Sequence, residues 1–140
     1  MIFGDSDDYF KNNRVDKSIE LLNKADIVIN DLSLFNENGI YEEKYLSHRL
    51  ENLDMIDVEF IKDKNIFGMS NTAIRLKNIS KIEFDDKVVA VDWCFFKNLL
   101  KQGLKAIFTN ETISYYRQHK NNTVGLKKEG KTYYLWWEKT

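Results

Sequence analysis

Segments of helical and strand-like hydrophobic periodicity alternate along this chain, and this alternation constrains its fold more than any other feature. Residues 9–25 have helical periodicity, whereas residues 26–35 (DIVINDLSLF) show the alternation and the branched apolar residues of a strand. A second helix is predicted at Val88–Gln102, with Gly103 as its C-cap, and a strand at Leu104–Phe108 follows directly. Strands that alternate with helices in this way are typical of α/β layered domains. We therefore expect an α/β sheet flanked by helices.

Apolar spacing also predicts which face of an element is buried. In the first helix, Val15, Ile19 and Leu22 recur at intervals of four and three residues, with Ser18 and Leu21 alongside, so this stripe is expected to face inward. Shorter patterns predict the remaining elements. These are the tail of a buried strand at Ile2–Phe3, an Asn-Gly turn at residues 36–39, strands at Ile40–Tyr45 and Thr112–Arg117, a helix at Ser47–Ile61 with Leu50, Leu53, Ile56 and Phe60 on one stripe, a short helix at Thr72–Asn78, an acidic loop at Ile82–Lys87 and a polar loop at Lys120–Val124.

Length, charge and cysteine content limit the class of protein. At 140 residues the chain has the size of one domain, and its 21 basic and 22 acidic residues give a net charge of −1. Nucleic-acid-binding domains usually carry a clear basic excess, so we expect no nucleic-acid partner. Cys94 is the only cysteine, which argues against a disulfide scaffold and an all-cysteine zinc site. No apolar run approaches the ~18 residues of a membrane span and the acidic N-terminus is unlike a signal peptide, so a cytoplasmic setting is expected.

An acidic cluster directly follows the short Ile2–Phe3 segment. Asp5 and Asp7 are alternate carboxylates at the end of a predicted strand, where both can reach one hard divalent cation such as Mg²⁺ or Mn²⁺. In α/β sheets, ligands also bind beyond the carboxyl ends of strands. The alternative interpretation is an acidic loop that caps the following helix, and the cluster taken alone favours that alternative.

Two further groups of residues suit catalysis or binding. Asp92 lies near the start of the second predicted helix, where a carboxylate in a cleft can act as a general base. The alternative is a helix-capping Asp92 beside a core Trp93. Arg117 and His119 end a predicted strand and could neutralise a phosphate, or His119 could ligate a metal. The alternative for this pair is a surface strand end with a solvated arginine and a structural histidine.

The order and spacing of these motifs are more specific than any one of them. The chain contains, in order, F-x-D-S-D-D, the pair Asn13-Arg14, a strand reading V-I-N-D, the pair Asp92-Trp93 in a helix that ends before Gly103, and Y-R-Q-H-x-N-N-T-x-G. This set closely resembles the family-2 glycosyltransferases of the GT-A fold. It is most similar to bacterial members that build surface polysaccharides. The resemblance runs from Met1 to about Gly125.

The resemblance implies a role for each matching residue. The reaction would be an inverting, metal-dependent transfer of a sugar from a nucleotide-sugar donor to a glycan or lipid-linked acceptor, without a covalent intermediate. Asp5 and Asp7 match the D-x-D motif, which would hold Mg²⁺ or Mn²⁺ against the donor diphosphate, and Asp8 would orient the loop or cap the helix. Asp92 matches the general base for the acceptor hydroxyl. The implied substrate-binding residues are Gly68, Met69, Ser70 and Asn71 in the loop that lines the donor sugar and acceptor pocket, Trp93 against the acceptor or the core, and Arg117 and His119 over the diphosphate.

The chain departs from this family at its start. Family members carry two or three βα units, which bind the base and ribose, before the D-x-D strand, whereas here Asp5 already belongs to the motif. Residues 1–126 therefore resemble only the C-terminal half of a GT-A domain, and the missing units would leave an exposed sheet edge. We expect a homo-oligomer or a partner chain to cover that edge. The alternative is a non-catalytic, glycosyltransferase-derived module that acts by self-association or with a partner chain, so the residues leave open whether the chain is an enzyme.

Residues 127–140 form a separate basic and aromatic tail that we expect to be helical. Tyr133, Trp136 and Trp137 recur at helical spacing and lysines surround them. Such a helix can lie on an anionic membrane surface, which would place the chain at the inner face of the membrane, where lipid-linked acceptors reside. The alternative is that the tail packs back onto the domain. We favour this alternative, because so short a tail has little membrane affinity.

Overall fold

The fold is a mixed α/β arrangement, as the alternation of periodicities predicts. The structure is a computed structural model, and it describes residues 1–83, 87 and 91–119. Over these residues, two α-helices accompany one mixed sheet of six strands. The elements are β1 (Tyr9–Phe10), α1 (Arg14–Leu21), β2 (Ile27–Asn36), β3 (Gly39–Glu42), β4 (Met55–Ile56), β5 (Thr72–Ile74), α2 (Val91–Lys101) and β6 (Ala106–Arg117), with 3₁₀ helices at Leu46–His48, Phe60–Lys62 and Leu76–Asn78.

The long strands β2 and β6 form the parallel centre of the sheet, and each is flanked by two short antiparallel strands. β2 pairs with β5 near its start and with β3 near its end, while β6 pairs with β4 near its start and with β1 near its end. Ile2 forms an isolated bridge with Ala73, so Ile2–Phe3 lies half-buried beside β5 and is not the buried strand that the sequence predicts. Because Phe35 pairs with Arg117, the carboxyl ends of β2 and β6 form one rim of the sheet.

The two helices cover opposite faces of this sheet. Successive strand residues point to opposite faces, and Val28 belongs to a small apolar cluster with Leu21 of α1, whereas its neighbour Ile29 belongs to a larger one. The larger cluster is the main core of the protein, and α2 supplies its aromatic side chains. Its buried members include Ile27, Ile29, Ile74, Trp93, Phe95, Phe96, Leu99, Leu100 and Phe108.

Helix α1 is shorter than predicted and turns a different face inward. Its buried side chains are Arg14, Ser18 and Leu21, whereas Val15 and Ile19 are 40% and 57% exposed. The prediction of an inward position is therefore wrong for Val15 and Ile19, whereas it is confirmed for Ser18 and Leu21. The physical reason is that Arg14 finds buried hydrogen-bond acceptors on the sheet, and a helix that places Arg14 inward must rotate Val15 and Ile19 outward.

The helix predicted at Ser47–Ile61 is also wrong, because this stretch contains 3₁₀ turns and strand β4. Asp54 and Asp57 each accept a hydrogen bond at 2.8 Å from a backbone N–H three residues away. Such local bonds compete with helix formation, and Leu53, with a φ of 69°, adopts a left-handed conformation that a helix does not allow. Ile56 is buried as the apolar stripe predicts, although it reaches the core from a strand.

Two shorter predictions differ from the structure as well. The predicted helix at Thr72–Asn78 is strand β5 followed by a 3₁₀ turn, since a short apolar run does not distinguish helix from strand. The strands predicted at Leu104–Phe108 and Thr112–Arg117 are parts of the one strand β6, in which residues 110–112 leave the register with β2. The predictions for β2, β3 and the described part of α2 are confirmed, as is Gly103 after α2, with a φ of 91°.

Several predicted features lie outside the described residues. These are the first residues of the second helix, half of the predicted loop at Ile82–Lys87, the polar loop at Lys120–Val124 and the basic aromatic tail at 127–140. In the described ranges, neither α1 nor α2 nor any 3₁₀ helix has the length and apolarity that a bilayer-crossing helix requires.

Candidate functional site

The acidic loop, Gly4–Asp8, lies beside the carboxyl end of β6 and is tied to it by hydrogen bonds. The Asp8 carboxylate accepts one bond at 2.8 Å from the backbone N–H of Arg117 and another from the Ser70 hydroxyl. The Ser70 oxygen also accepts a bond at 3.2 Å from the backbone N–H of Asp5. Burial raises the pKa of Asp8, although the bonds from Ser70 and Arg117 oppose this shift. The acidic loop is therefore part of the rim where β6 ends.

This placement contradicts the interpretation of the acidic loop as a helix cap. Strand β1 separates the loop from α1, and the N-cap residue of α1 is Asn13, whose side chain makes no capping hydrogen bond. Instead, Asn13 Oδ1 accepts a bond at 2.8 Å from the Thr112 hydroxyl, and its Nδ2 donates one at 3.1 Å to the Glu111 carbonyl. Of the two roles considered for Asp8, orienting the loop is therefore the one that its contacts fit.

Arg117 and His119 both contact Asp7 from the end of β6. His119 Nε2 lies 2.8 Å from Asp7 Oδ2, and this hydrogen bond lowers the pKa of Asp7. Arg117 Nε donates a bond at 3.1 Å to the Asp7 carbonyl, and its guanidinium lies 4.4 Å from the centre of the Phe35 ring. The two basic residues therefore lie at the acidic loop, and Arg117 is held in place there.

Asp92 lies in the first turn of α2 and faces the same rim. Its Oδ1 accepts a hydrogen bond at 2.8 Å from the backbone N–H of Trp93. Burial raises the pKa of Asp92, and the negative charge of Asp5 raises it further. Asp5 and Asp92, which are far apart in the sequence, are thus close enough in the structure to interact electrostatically.

Tyr116 belongs to the Y-R-Q-H motif, but the sequence interpretation assigned it no role in the site. Burial raises the pKa of its hydroxyl, and the negative charges of Asp8, Asp92 and Asp5 raise it further. Tyr116 precedes Arg117 in a predicted strand, and adjacent strand residues point to opposite faces of a sheet. This position could have indicated that Tyr116 faces the side opposite to Arg117. Tyr116 accordingly packs against the main core on the α2 side of the sheet.

The segment 68–71 contacts the acidic loop through Ser70, which bonds both the Asp8 carboxylate and the Asp5 N–H. Asn71 shapes the segment, since its Oδ1 accepts a bond at 2.9 Å from the Gly68 N–H and its Nδ2 donates one at 3.2 Å to the Asn30 carbonyl. A Cβ at position 68 would lie 3.0 Å from the Asn71 Oδ1, which favours glycine there. Met69 is half-buried next to these residues.

Trp93 lies in the core and not on a surface that an acceptor could reach. Its side chain is 4% exposed, and its indole N–H donates a hydrogen bond at 3.1 Å to the Ile61 carbonyl. Of the two roles considered for Trp93, packing against the core is the one that its burial fits. By anchoring the first turn of α2, Trp93 also helps to hold Asp92 at the rim.

The donor set of the acidic loop fits a hard cation only together with a ligand. No group of three His, Cys, Asp or Glu side chains within the described residues is arranged to hold a metal ion. Mg²⁺, however, is often bound through one or two carboxylates, while substrate phosphates and waters supply its other oxygens. Asp5 is exposed, and His119 contacts only one of the two Asp7 carboxylate oxygens. These two residues therefore fit an ion whose coordination is completed by a diphosphate.

Comparisons with protein-family models, with curated proteins and with solved structures find no match to this chain. The function has to be inferred from the site itself. The rim where β2 and β6 end carries two half-buried carboxylates, two exposed carboxylates, a half-buried tyrosine and two basic side chains. These are Asp8 and Asp92, Asp5 and Asp7, Tyr116, and Arg117 and His119. In α/β sheets, this rim at the carboxyl ends of parallel strands is where ligands bind.

Proposed function

We propose that this chain is the C-terminal half of a GT-A-type glycosyltransferase, which acts in the cytoplasm in surface polysaccharide synthesis. It would transfer a sugar with inversion from a nucleotide-sugar donor to a glycan or lipid-linked acceptor. The observation that carries this proposal is the convergence of Asp5, Asp8, Asp92 and Tyr116 at one rim of the sheet. These residues come from the acidic loop, α2 and β6, and a charged cluster of this kind at a strand end is typical of a functional site.

Asp92 is the residue best suited to act as the general base. In an inverting displacement, the acceptor hydroxyl attacks the anomeric carbon while a base removes its proton. A base works best when its pKa approaches the working pH, and burial moves the pKa of Asp92 in that direction. Tyr116 is protonated at neutral pH, as an ordinary tyrosine is, and its raised pKa keeps it protonated at higher pH as well. Its hydroxyl can therefore donate a hydrogen bond to a nearby carboxylate or sugar oxygen.

The leaving diphosphate requires positive charge at the other side of the site. Arg117 and His119, at the end of β6, are basic groups that bond to Asp7 of the acidic loop. Asp5 and Asp7 would hold Mg²⁺ or Mn²⁺ there, and the cation would stabilise the negative charge that develops on the leaving group. The contacts of Arg117 with Asp7 and Phe35 keep its guanidinium oriented before any ligand binds.

Calorimetric titration of UDP and dTDP, with and without Mn²⁺, tests this proposal. We expect binding to the wild-type chain to depend on Mn²⁺, and the double variant Asp5→Asn/Asp7→Asn to bind at least about tenfold more weakly, because two anionic ligands of the cation are lost. The control is Glu37→Gln/Glu43→Gln, which removes two exposed carboxylates elsewhere and should bind as the wild type does. Binding that is equal in the wild type and the Asp5/Asp7 variant would contradict the proposed cation site.

A second candidate function is that of a non-catalytic module that acts by self-association. The observation that favours it is the outward face of α1, where the neighbouring side chains of Val15 and Ile19 are exposed. At an edge of the sheet, Ile40 and Tyr41 of β3 are also about half exposed. Apolar helix faces and open strand edges are features that a second copy or a partner chain can cover.

Light scattering tests the self-association. We expect the wild-type chain to form a dimer or a larger assembly, and Ile19→Lys to shift it towards the monomer, because burying a lysine charge at an apolar contact is unfavourable. Leu76→Lys, at another exposed apolar position, is the control and should leave the mass unchanged. A wild-type chain that is monomeric at working concentration would count against this second candidate.

A further inference from the structure

Arg14 anchors the start of the acidic loop from inside the protein. Its side chain is 0% exposed, and its Nη2 donates a hydrogen bond at 2.7 Å to the carbonyl of Phe3, directly before the loop. Its Nε donates a second bond at 3.1 Å to the Asn30 Oδ1. Burial lowers the pKa of Arg14 to about 10, so the guanidinium is still charged at neutral pH. Among the described residues, no carboxylate forms an ion pair with it, and its Nη1 has no hydrogen-bond partner.

Asn30 extends this connection to the other end of the acidic loop. Its Nδ2 donates a hydrogen bond at 2.9 Å to the Ser114 Oγ, and the Ser114 hydroxyl donates one at 2.6 Å to the Ser70 carbonyl. The Ser70 side chain then binds the Asp8 carboxylate and the Asp5 N–H. A continuous series of polar side chains therefore runs from α1, through β2 and β6, to the acidic loop.

Stability alone does not account for this arrangement. Asn30, Ser70 and Ser114 are each at most 5% exposed, and the buried Arg14 guanidinium forms no ion pair with any carboxylate in the part of the chain that the structure describes. Burying polar and charged groups is unfavourable unless all of them are paired, and apolar side chains of similar volume often serve a core equally well. A buried network of hydrogen bonds holds its members in one geometry, and this one ends on the residues of the acidic loop.

We propose that Arg14, Asn30, Ser114 and Ser70 are positioning residues that hold both ends of the acidic loop in the geometry that binds a divalent cation and a nucleoside diphosphate. This inference rests on the proposed function, because the ligands are those of the same site. None of the buried members Arg14, Asn30 and Ser114 touches the ligand. They act through Ser70 on Asp5 and Asp8, and through Asp8 on the backbone of Arg117.

Ser114→Ala tests the network with the smallest change, since it removes the one oxygen that joins Asn30 to Ser70. We expect the amide hydrogens of Asp5 and Arg117 to exchange about tenfold faster with solvent, because the carboxylate and hydroxyl that accept their bonds are no longer held. In the same variant, Mn²⁺-dependent binding of UDP should weaken by about tenfold. Exchange at amides of α2 serves as the internal reference for global opening.

Two variants separate positioning from simple loss of stability. Ser33→Ala removes another fully buried serine hydroxyl from the adjacent strand β2 and should change neither the exchange at Asp5 and Arg117 nor the binding. Ser114→Thr keeps a hydroxyl and should restore both. Unchanged exchange at Asp5 and Arg117 in Ser114→Ala overturns the network. The exchange at Asp5 and Arg117 could be faster in Ser114→Ala although the wild type binds no UDP with Mn²⁺. That result would support the network as the anchor of the loop and would refute only the proposed function.

Discussion

Replacing Asp92 with asparagine is expected to lower the rate of sugar transfer by about 10²- to 10⁴-fold, the range in which a positioned general base contributes to catalysis. Asparagine has nearly the same shape and keeps the oxygen that accepts the bond from the Trp93 N–H, but it cannot take a proton. The measurement is the release of UDP or dTDP from nucleotide sugars. When no acceptor is added, water takes its place in the reaction. Donor binding in the presence of Mn²⁺ should change little, because Asp92 acts on the acceptor.

The same variant is expected to lose activity without losing stability. Burial raises the pKa of Asp92 in the folded chain, so the folded state binds a proton more readily than the unfolded state. This contribution to stability is fully present below the unfolded pKa and is lost as the pH rises through the higher folded pKa. Asp92→Asn should therefore unfold at the same denaturant concentration as the wild type in acid, and at an equal or higher concentration at pH 7.

Asp57→Asn is the control for both measurements. Asp57 also accepts a hydrogen bond from a backbone N–H near the start of a helical turn. It is exposed, however, and takes no part in the hydrogen bonds described for the rim. We expect this variant to keep both its activity and its stability profile. An Asp92→Asn variant that transfers sugar as fast as the wild type would show that Asp92 only orients the first turn of α2.

Replacing Arg14 with alanine is expected to lower the free energy of unfolding by about 3 kcal/mol, a large loss for a domain of this size. The carbonyl of Phe3 and the Oδ1 of Asn30 each lose their donor, and removal of the long side chain leaves a cavity beside α1. The variant also removes a buried charge, which is costly to hold in the core. This offsets part of the loss, so we do not expect a larger decrease in the free energy of unfolding. Urea denaturation, followed by circular dichroism, measures the change.

Lys17→Ala, on the same helix, is the matched control for Arg14→Ala. Lys17 forms surface ion pairs with Glu20 and Glu111, and exposed pairs of this kind contribute little to stability. We expect the control to stay close to the wild type. If Arg14→Ala lowered the free energy of unfolding as little as Lys17→Ala, the hydrogen bonds of the guanidinium would only balance the cost of burying it. The network would then contribute no rigidity.

The elements with long, regular patterns could be predicted because their own residues decide them. Strand β2 begins with three branched apolar residues and is buried over nearly all of its length, and α2 combines an apolar face with Gly103 after its end. The predictions failed at Ser47–Ile61 and Thr72–Asn78, where the apolar spacing fits more than one structure. There, local bonds from aspartates and pairing with a distant strand decided the outcome.

The residues of the candidate site also include some that the sequence could indicate and one whose role only the structure revealed. The types of residue that could carry the chemistry, Asp5, Asp92 and Arg117 among them, were evident from the motifs, because cation, base and phosphate chemistry each require particular side chains. Tyr116 was not evident, since its role depends on the three carboxylates that α2 and the acidic loop bring to it.

What the sequence determined by itself is the alternation of strands and helices and the chemical groups available at their ends. Only the tertiary structure decided that α1 buries Arg14 and exposes Ile19, and that Arg14 reaches the acidic loop through Asn30 and Ser114. Periodicity specifies the angle between side chains on one element, but the buried face is the one whose hydrogen-bond and packing partners are present. Those partners come from strands far away in the chain, so they exist only once the sheet has formed.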